Sequence, residues 1–192
     1  PFMPRSPVQP MPMLRMLFKG QFFYQLYFQE PGVAEAEFEK DIKGGLRKFL
    51  VMAGGETDLT KLPPKTEHDD LLSNLPDPKT LPAWLSEADL DFYTGEFTRS
   101  GMRGPINYYR NHDLTWRLTH GAPTQIHQPA MFVAGAADGV VMMAAEAIKA
   151  LPSVVTDLRI NRMIPGIGHW TQQEAPDAVN AAILEFLHDI DG

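Results

Sequence analysis

Two short segments carry residue types that act together in hydrolytic chemistry. Asp138 closes the run Ala134-Gly135-Ala136-Ala137-Asp138, and His169 sits in Gly166-Ile167-Gly168-His169-Trp170. Each follows a short apolar stretch, Ala130 to Gly135 and Leu158 to Ile164, of the kind that a buried parallel strand makes. In open α/β sheets, working side chains lie just past the C-terminal ends of the strands. The two residues are 31 apart, which leaves room for one helix and one strand between them. A carboxylate beside an imidazole holds its tautomer and favours its protonated form. On spacing alone, the plainer alternative is equally strong: Asp138 caps the next helix and His169 is an ordinary loop residue.

A nucleophile to go with this pair is missing. There is no Gly-x-Ser-x-Gly elbow and no His-Gly segment for an oxyanion hole. Ser100 lies among helical sequence with no strand before it. The chain order, acid and then histidine with the nucleophile still earlier, is that of α/β hydrolases.

The elements that must position these residues divide by composition near residue 120. Before it, aromatic-rich helical segments alternate with Pro and Gly. Met13 to Phe18 is a short apolar piece ended by Gly20, and Gln21 to Phe28 is strongly aromatic. Ala34 to Phe49 has apolar residues at helical spacing, with Gly44-Gly45 as a weak point or kink. Residues 54–80 read as a long surface loop. Pro82 to Arg99 reads as a helix, with Ser86 and Asp89 forming a capping-box-like start. Met102 to Pro105 breaks it, and Asn107 to Thr119 forms another. After residue 122 the order is strand, helix (Val140 to Leu151), strand, helix (Ala175 to Ile190). That is the last part of a doubly wound α/β sheet. Two strands do not make a stable parallel sheet alone, so further strands are expected N-terminal to Pro1 or on another chain.

Composition excludes several roles. The 192 residues are 44% apolar and carry a formal net charge of −7, with no basic cluster. Nucleic acid and anionic membrane are therefore poor partners. No apolar run approaches the roughly 20 residues that a membrane span needs. There is no cysteine, and the six histidines lack metal-ligand spacing. The opening, with five prolines in twelve residues, predicts an extended connector rather than a signal peptide, and a cytoplasmic protein is expected.

Three motifs then carry a resemblance. Phe23-Tyr24-Gln25-Leu26-Tyr27-Phe28-Gln29-Glu30-Pro31-Gly32-Val33-Ala34-Glu35 resembles the first lid segment of soluble epoxide hydrolases. Ser100-Gly101-Met102-Arg103-Gly104-Pro105-Ile106-Asn107-Tyr108-Tyr109-Arg110-Asn111 resembles their second, with Met102 where Phe is usual and Tyr108 where Trp is frequent. Gly168-His169-Trp170-Thr171-Gln172 resembles their catalytic-histidine loop, and Pro1-Phe2-Met3-Pro4 their connector from core to lid.

The resemblance implies an α/β-hydrolase fold with a helical lid (cap) domain and with the N-terminal part of the sheet missing from this chain. It implies a connector over residues 1–20, a lid over 21–118 and the C-terminal part of the core over 119–192. The implied reaction opens a hydrophobic epoxide to a vicinal diol through an aspartyl ester, with neither metal nor organic cofactor. By the same resemblance Tyr24 and Tyr109 are the proton donors, with Tyr27 a competitor to Tyr24 and Tyr108 a lesser one. Asp138 and His169 form the pair that activates water. Trp170, Met102 and Gln25 are expected to touch substrate, although core packing is nearly as good a reading for Trp170 and Met102. Arg103 and Arg110 are expected either to organise the lid through carboxylates such as Glu30 or to lie on a solvated surface.

The nucleophile motif of the family, His-Asp-Trp-Gly, is absent. Asp113 follows His112 but lies in the lid and lacks the Trp-Gly. The nucleophile is therefore expected on a missing N-terminal half of the core. A haloalkane dehalogenase-like hydrolase and an inactive lid or interaction fragment are the alternatives, and a homodimer is left open.

Overall fold

The computed structural model describes residues 5–191. Pro1 to Pro4, the start of the expected connector, lie outside the described residues. Beyond them the proline-rich path is not extended throughout. Helix α1 spans Pro10–Leu17, with a proline at its first position. Both Pro10 and Pro12 fall in the first turn, where backbone N–H groups have no intrahelical partner to lose. Asp113 anchors this end: its carboxylate accepts from Met11 N (3.0 Å) and Gln9 Nε2 (2.7 Å).

Helix α2 is a single turn, Tyr24–Tyr27, and α3 spans Val33–Lys40. The start of α3 needs Gly32, whose φ of +89° suits glycine. Glu35 reaches back to accept from the Gly32 N–H at 2.9 Å. The helix expected over Ala34 to Phe49 is in fact two, because the break falls at Asp41 and not at the glycine pair. Asp41 leaves helical geometry and caps α4, Ile42–Ala53, by accepting from Gly44 N at 2.9 Å. Gly44 and Gly45 are instead buried inside α4, where a side chain on Gly45 would press on Leu72 and Phe38.

The stretch over residues 54–80 is a loop with one 3-10 turn at Leu59–Lys61, but not all of it is on the surface. Leu71 is buried in the core because Glu37 accepts the N–H groups of Leu71 (3.1 Å) and Leu72 (2.7 Å). Helix α5, Glu87–Ser100, starts later than Pro82, at the Ser86–Asp89 capping box. The Met102 to Pro105 stretch is a start as well as a break: α6 spans Arg103–Arg110, and α7 spans His112–Leu118. Phe28, Ala34, Phe38, Leu71, Met102 and Ile106 form the buried core of this helical part.

Strands β1, Ala130–Gly135, and β2, Leu158–Ile164, pair in parallel, with Gly135 opposite Ile164 at their C-terminal ends. The crossover expected as one helix over Val140 to Leu151 is three short ones: α8 (Gly139–Met143), α9 (Ala145–Lys149) and α10 (Leu151–Val154). Pro152 forces the last break, since it lacks an N–H and clashes with the preceding turn. After β2 come a turn, α11 (Thr171–Glu174), and α12 (Pro176–Asp191), again opened by a proline. Helix α12 lies on both strands and buries Val179 and Ala182, while Ile183, Leu184 and Leu187 stay exposed. Met131, Phe132 and Val133 of β1 are only half-buried.

The helical part is tied together by Arg110. Its guanidinium donates to Glu35 Oε1 (2.6 Å) and Oε2 (2.9 Å), to Asn107 Oδ1 (2.9 Å), and to the carbonyls of Phe28 (2.7 Å) and Glu30 (3.1 Å). Arg110 is therefore an organiser, through Glu35 and the Glu30 carbonyl, whereas Arg103 is exposed. The Arg110 and Glu35 side chains are 13% and 10% exposed. Hydrogen bonds from Arg110 hold the Glu35 carboxyl down at about 2, below its ordinary 4.5. Replacing Arg110 with Met should destabilise the protein by about 3–5 kcal/mol, because it strands a buried carboxylate. In the unaltered protein the Glu35 contribution, about 3 kcal/mol, is complete above pH 4.5 and is lost as pH falls toward 2. Urea denaturation of R110M and of the unaltered protein across that range checks both.

Candidate active site

The loops after β1 and β2 meet where they leave the sheet. Ala136 N donates to Ile164 O and Ala137 N to Ile167 O, both at 2.9 Å. This contact brings Asp138 and His169 together. Asp138 Oδ2 takes the hydrogen bond of His169 Nδ1 at 3.0 Å, and Oδ1 accepts from Val140 N at 2.8 Å. The two readings of Asp138 are thus compatible, since one oxygen caps α8 while the other holds the imidazole. A carboxylate only accepts, so Nδ1 carries the hydrogen and Nε2 is left as the basic atom.

The Asp138 side chain is 11% exposed and that of His169 is 42% exposed. The hydrogen bond to Asp138 raises the His169 pKa above its ordinary 6.5, against a smaller opposing effect of burial. Burial pushes Asp138 up, but the hydrogen bonds from His169 and the Val140 N–H outweigh it and leave that carboxyl below its ordinary value.

The backbone of the histidine loop is pinned to the end of α4. His169 N donates to Ala53 O (2.9 Å), and Trp170 Nε1 donates to Leu50 O (2.7 Å). The Glu174 carboxylate accepts from Gly168 N (2.8 Å), Trp170 N (3.0 Å) and Gly55 N (2.9 Å). Nothing in the one-dimensional pattern marked Glu174 or Gly55, which meet across 119 residues of sequence.

Across the helical part, Tyr24 and Tyr109 meet edge to face, with ring centroids 5.5 Å apart. Among the described residues neither hydroxyl hydrogen is committed to a protein acceptor. The Tyr24 oxygen accepts from Gln25 Nε2 at 2.9 Å, so Gln25, expected at the substrate, is turned to this phenol. Burial, then the neighbouring Tyr24 and Tyr108, raise the Tyr109 pKa and keep it a protonated donor. Tyr27 is otherwise engaged. Its hydroxyl donates to Glu37 at 2.9 Å, and burial followed by Glu37 pushes its pKa up. Tyr108 is 77% exposed. Asp113 caps α1 and faces no part of the Asp138–His169 pair.

A largely apolar cavity of about 580 Å³ reaches from Tyr109 to Trp170, lined also by Phe28, Phe49, Trp84 and Met102 among others. Met102 is both core and cavity wall. A second hollow of about 570 Å³ runs along β1 and carries Asp138 and His169. Trp170 contacts His169 edge to face (5.0 Å between centroids) and lines the first cavity, so it connects the imidazole to the space that Tyr109 also lines. No hydrogen bond among the described residues joins the tyrosine pair to His169 directly.

Parallel strands with an acid and a histidine at their C-terminal ends, beneath a helical layer, define the C-terminal portion of an α/β-hydrolase fold. Comparison with known proteins agrees. No protein-family model matches the chain. It is 40% identical over 190 residues to epoxide hydrolase A of Mycobacterium tuberculosis, covering 97% of this chain and 58% of that relative. The crystal structure of epoxide hydrolase A from Mycobacterium thermoresistibile superposes with a TM-score of 0.88 at 40% identity, covering 98% of this chain and 59% of that one. An epoxide hydrolase from an endophytic Streptomyces superposes with a TM-score of 0.91 at 38% identity, covering 100% of this chain and 59% of that one. Over nearly its whole length the chain is homologous to epoxide hydrolases and shares their α/β-hydrolase fold, and it spans somewhat under three-fifths of the length of these relatives.

Changing Asp138 to Asn tests the coupling in the site. The carboxylate stabilises the imidazolium, so its loss should lower the His169 pKa, which then falls under the influence of burial. Asn caps helices as well as Asp does, so stability should change by no more than about 1 kcal/mol. Titration of the His169 Cε1 proton by NMR reads the pKa, and an unmoved value would contradict the coupling.

Proposed function

We propose that the chain forms the lid and C-terminal core of an epoxide hydrolase. The observation that carries this reading is the pair of phenols, Tyr24 packed edge to face on Tyr109, with Tyr109 lining a cavity whose wall also includes Trp170, the neighbour of an aspartate-held histidine. Epoxide opening leaves a basic alkoxide. Two phenol donors placed where that charge develops are what the step requires.

In the proposed sequence, an aspartate from the part of the fold that this chain does not span attacks an epoxide carbon. The carbon–oxygen bond breaks, an ester forms, and the oxygen takes a proton from Tyr24 or Tyr109. His169 Nε2 then removes a proton from water as that water attacks the ester carbonyl. Asp138 stabilises the imidazolium that results. The acyl–oxygen bond of the ester breaks, the departing alkoxide takes the proton from the imidazolium, and the proton on the new carboxyl group returns to the tyrosinate, which leaves a vicinal diol and the regenerated carboxylate. The apolar cavity suits a hydrophobic substrate, and the presence of Trp170 and Met102 on its lining supports the reading that they contact it. The nucleophile would enter along the hollow beside β1, where the half-buried faces of Met131, Phe132 and Val133 offer a surface for further core structure. Among the described residues no helix is long and apolar enough to cross a membrane.

The test uses protein expressed from the complete open reading frame, with styrene oxide as substrate. Diol formation should be lost in the Tyr24→Phe/Tyr109→Phe double variant by on the order of 10²–10⁴-fold, whereas release of halide from a haloalkane would be little affected. His169→Gln should accumulate a covalent ester visible by intact mass. A double variant that retains full diol formation would sink the assignment of the tyrosines.

A further inference from the structure

Glu174 sits outside every motif that pointed to chemistry, yet its carboxylate binds the two residues on either side of His169. Oε2 accepts from Gly168 N at 2.8 Å and from Gly55 N at 2.9 Å, and Oε1 accepts from Trp170 N at 3.0 Å. The amide of His169 itself goes to Ala53 O at 2.9 Å. All three consecutive amides of the loop are therefore occupied. None of these partners belongs to a sheet ladder or to the helix in which the donor lies.

We propose that Glu174 is a positioning residue for His169. By holding the amides of Gly168 and Trp170 on one carboxylate and stapling them to Gly55 at the end of α4, it fixes where the imidazole points. The inference rests on the reading of His169 as the base that activates water. Three features of the site require this arrangement. The first is the closeness of the two backbones, since a side chain on Gly55 would strike the Gly166 carbonyl and one on Gly168 would strike the Gly55 nitrogen. Backbones this close leave no room for a Cβ at either glycine, and a carboxylate reaching in from α11 satisfies the amides.

The second is the number of donors. A carboxylate offers about four lone-pair positions, enough for three N–H groups, and charge-assisted bonds of this kind are short and directional. An amide in the same place offers one oxygen and turns its own N–H groups toward one of the donors. The third is the anchoring on the opposite side. Thr171 Oγ1 donates to Gly168 O at 3.1 Å and accepts from Gly135 N at 3.2 Å, which ties the same loop to the end of β1. Asp138 then sets the ring through Nδ1, and Glu174 sets the backbone that carries it. A displacement of about 1 Å at a general base costs up to about 100-fold in rate.

The charge of Glu174 also faces the imidazole, where Asp138 and Glu174 both favour the protonated ring. This separates two substitutions. Glu174→Gln keeps the shape and removes the charge, whereas Glu174→Asp keeps the charge and shortens the reach.

The experiment is single-turnover kinetics on protein from the complete open reading frame, with styrene oxide, following ester formation and ester hydrolysis separately. Both variants should slow hydrolysis about tenfold or more and leave ester formation within about twofold. The acid limb of hydrolysis should move to lower pH in the Glu174→Gln variant and stay in place in Glu174→Asp. A merely structural role would lower both steps together and leave the limb where it was, and that result, or unchanged hydrolysis in both variants, overturns the proposal. In the unaltered protein the amides of Gly55, Gly168 and Trp170 should be protected from hydrogen exchange as a group, and rapid exchange of any of them would also overturn it. Failure of the unaltered protein to form diol, or of His169→Gln to trap ester, would instead sink the epoxide reading itself.

Discussion

A guanidinium cut off from water must find fixed acceptors, and the helical part of this protein is arranged around that requirement. Arg110 draws in the carbonyls that follow α2, the carboxylate at the start of α3 and an amide of its own helix α6. Tyr109 is its neighbour in sequence, and Phe28, whose carbonyl it binds, packs on both Tyr24 and Tyr109. The separation of the two phenols is therefore set by where one buried cation can be satisfied. Such a pair adds little net stability compared with apolar residues of the same volume. What the guanidinium adds is direction, because its fixed fork of donors ties the end of α2, the start of α3 and α6 to one point.

The same logic operates at the seam with the sheet, in backbone rather than in a side-chain ion pair. The end of α4 supplies the carbonyls of Leu50 and Ala53 and the amide of Gly55 to the histidine loop or to the carboxylate that holds it. The loop that carries His169 is thus built partly from the helical half. Trp170 shares in both, through its indole N–H to Leu50 and its face against Phe49. Here the helical layer and the sheet are a single structure.

What could be read from the sequence follows from how local each signal is. The strands, the Ser86–Asp89 cap, and the placement of Asp138 and His169 after their strands depend on residues close in sequence, and the structure has them where the pattern put them. The split at Asp41 was hidden behind the more conspicuous glycine pair, because an aspartate that caps a helix looks like any solvated aspartate until its turn is seen. Prolines 10 and 12 read as an extended path because proline is legal in both a first helical turn and a connector. Leu71 was lost in a polar stretch, since the carboxylate that draws it inward lies 34 residues away. Glu174 and Gly55 were invisible for the same reason at greater range: their meaning is a contact between two backbones, and no periodicity encodes that.

The exposed surfaces of the sheet are not distributed at random. A strand in a doubly wound sheet is covered on both faces, and at its C-terminal end β1 is buried at Ala134 and Gly135 where α12 and the histidine loop lie against it. Its middle, Met131 to Val133, is only half-buried, and it opens onto the hollow that contains Asp138 and His169. The half-buried middle of β1 and the Asp138–His169 pair therefore share one hollow. Any group that covered Met131 to Val133 from this side would also be brought beside His169, so burial of the strand and access to the imidazole are coupled through one surface.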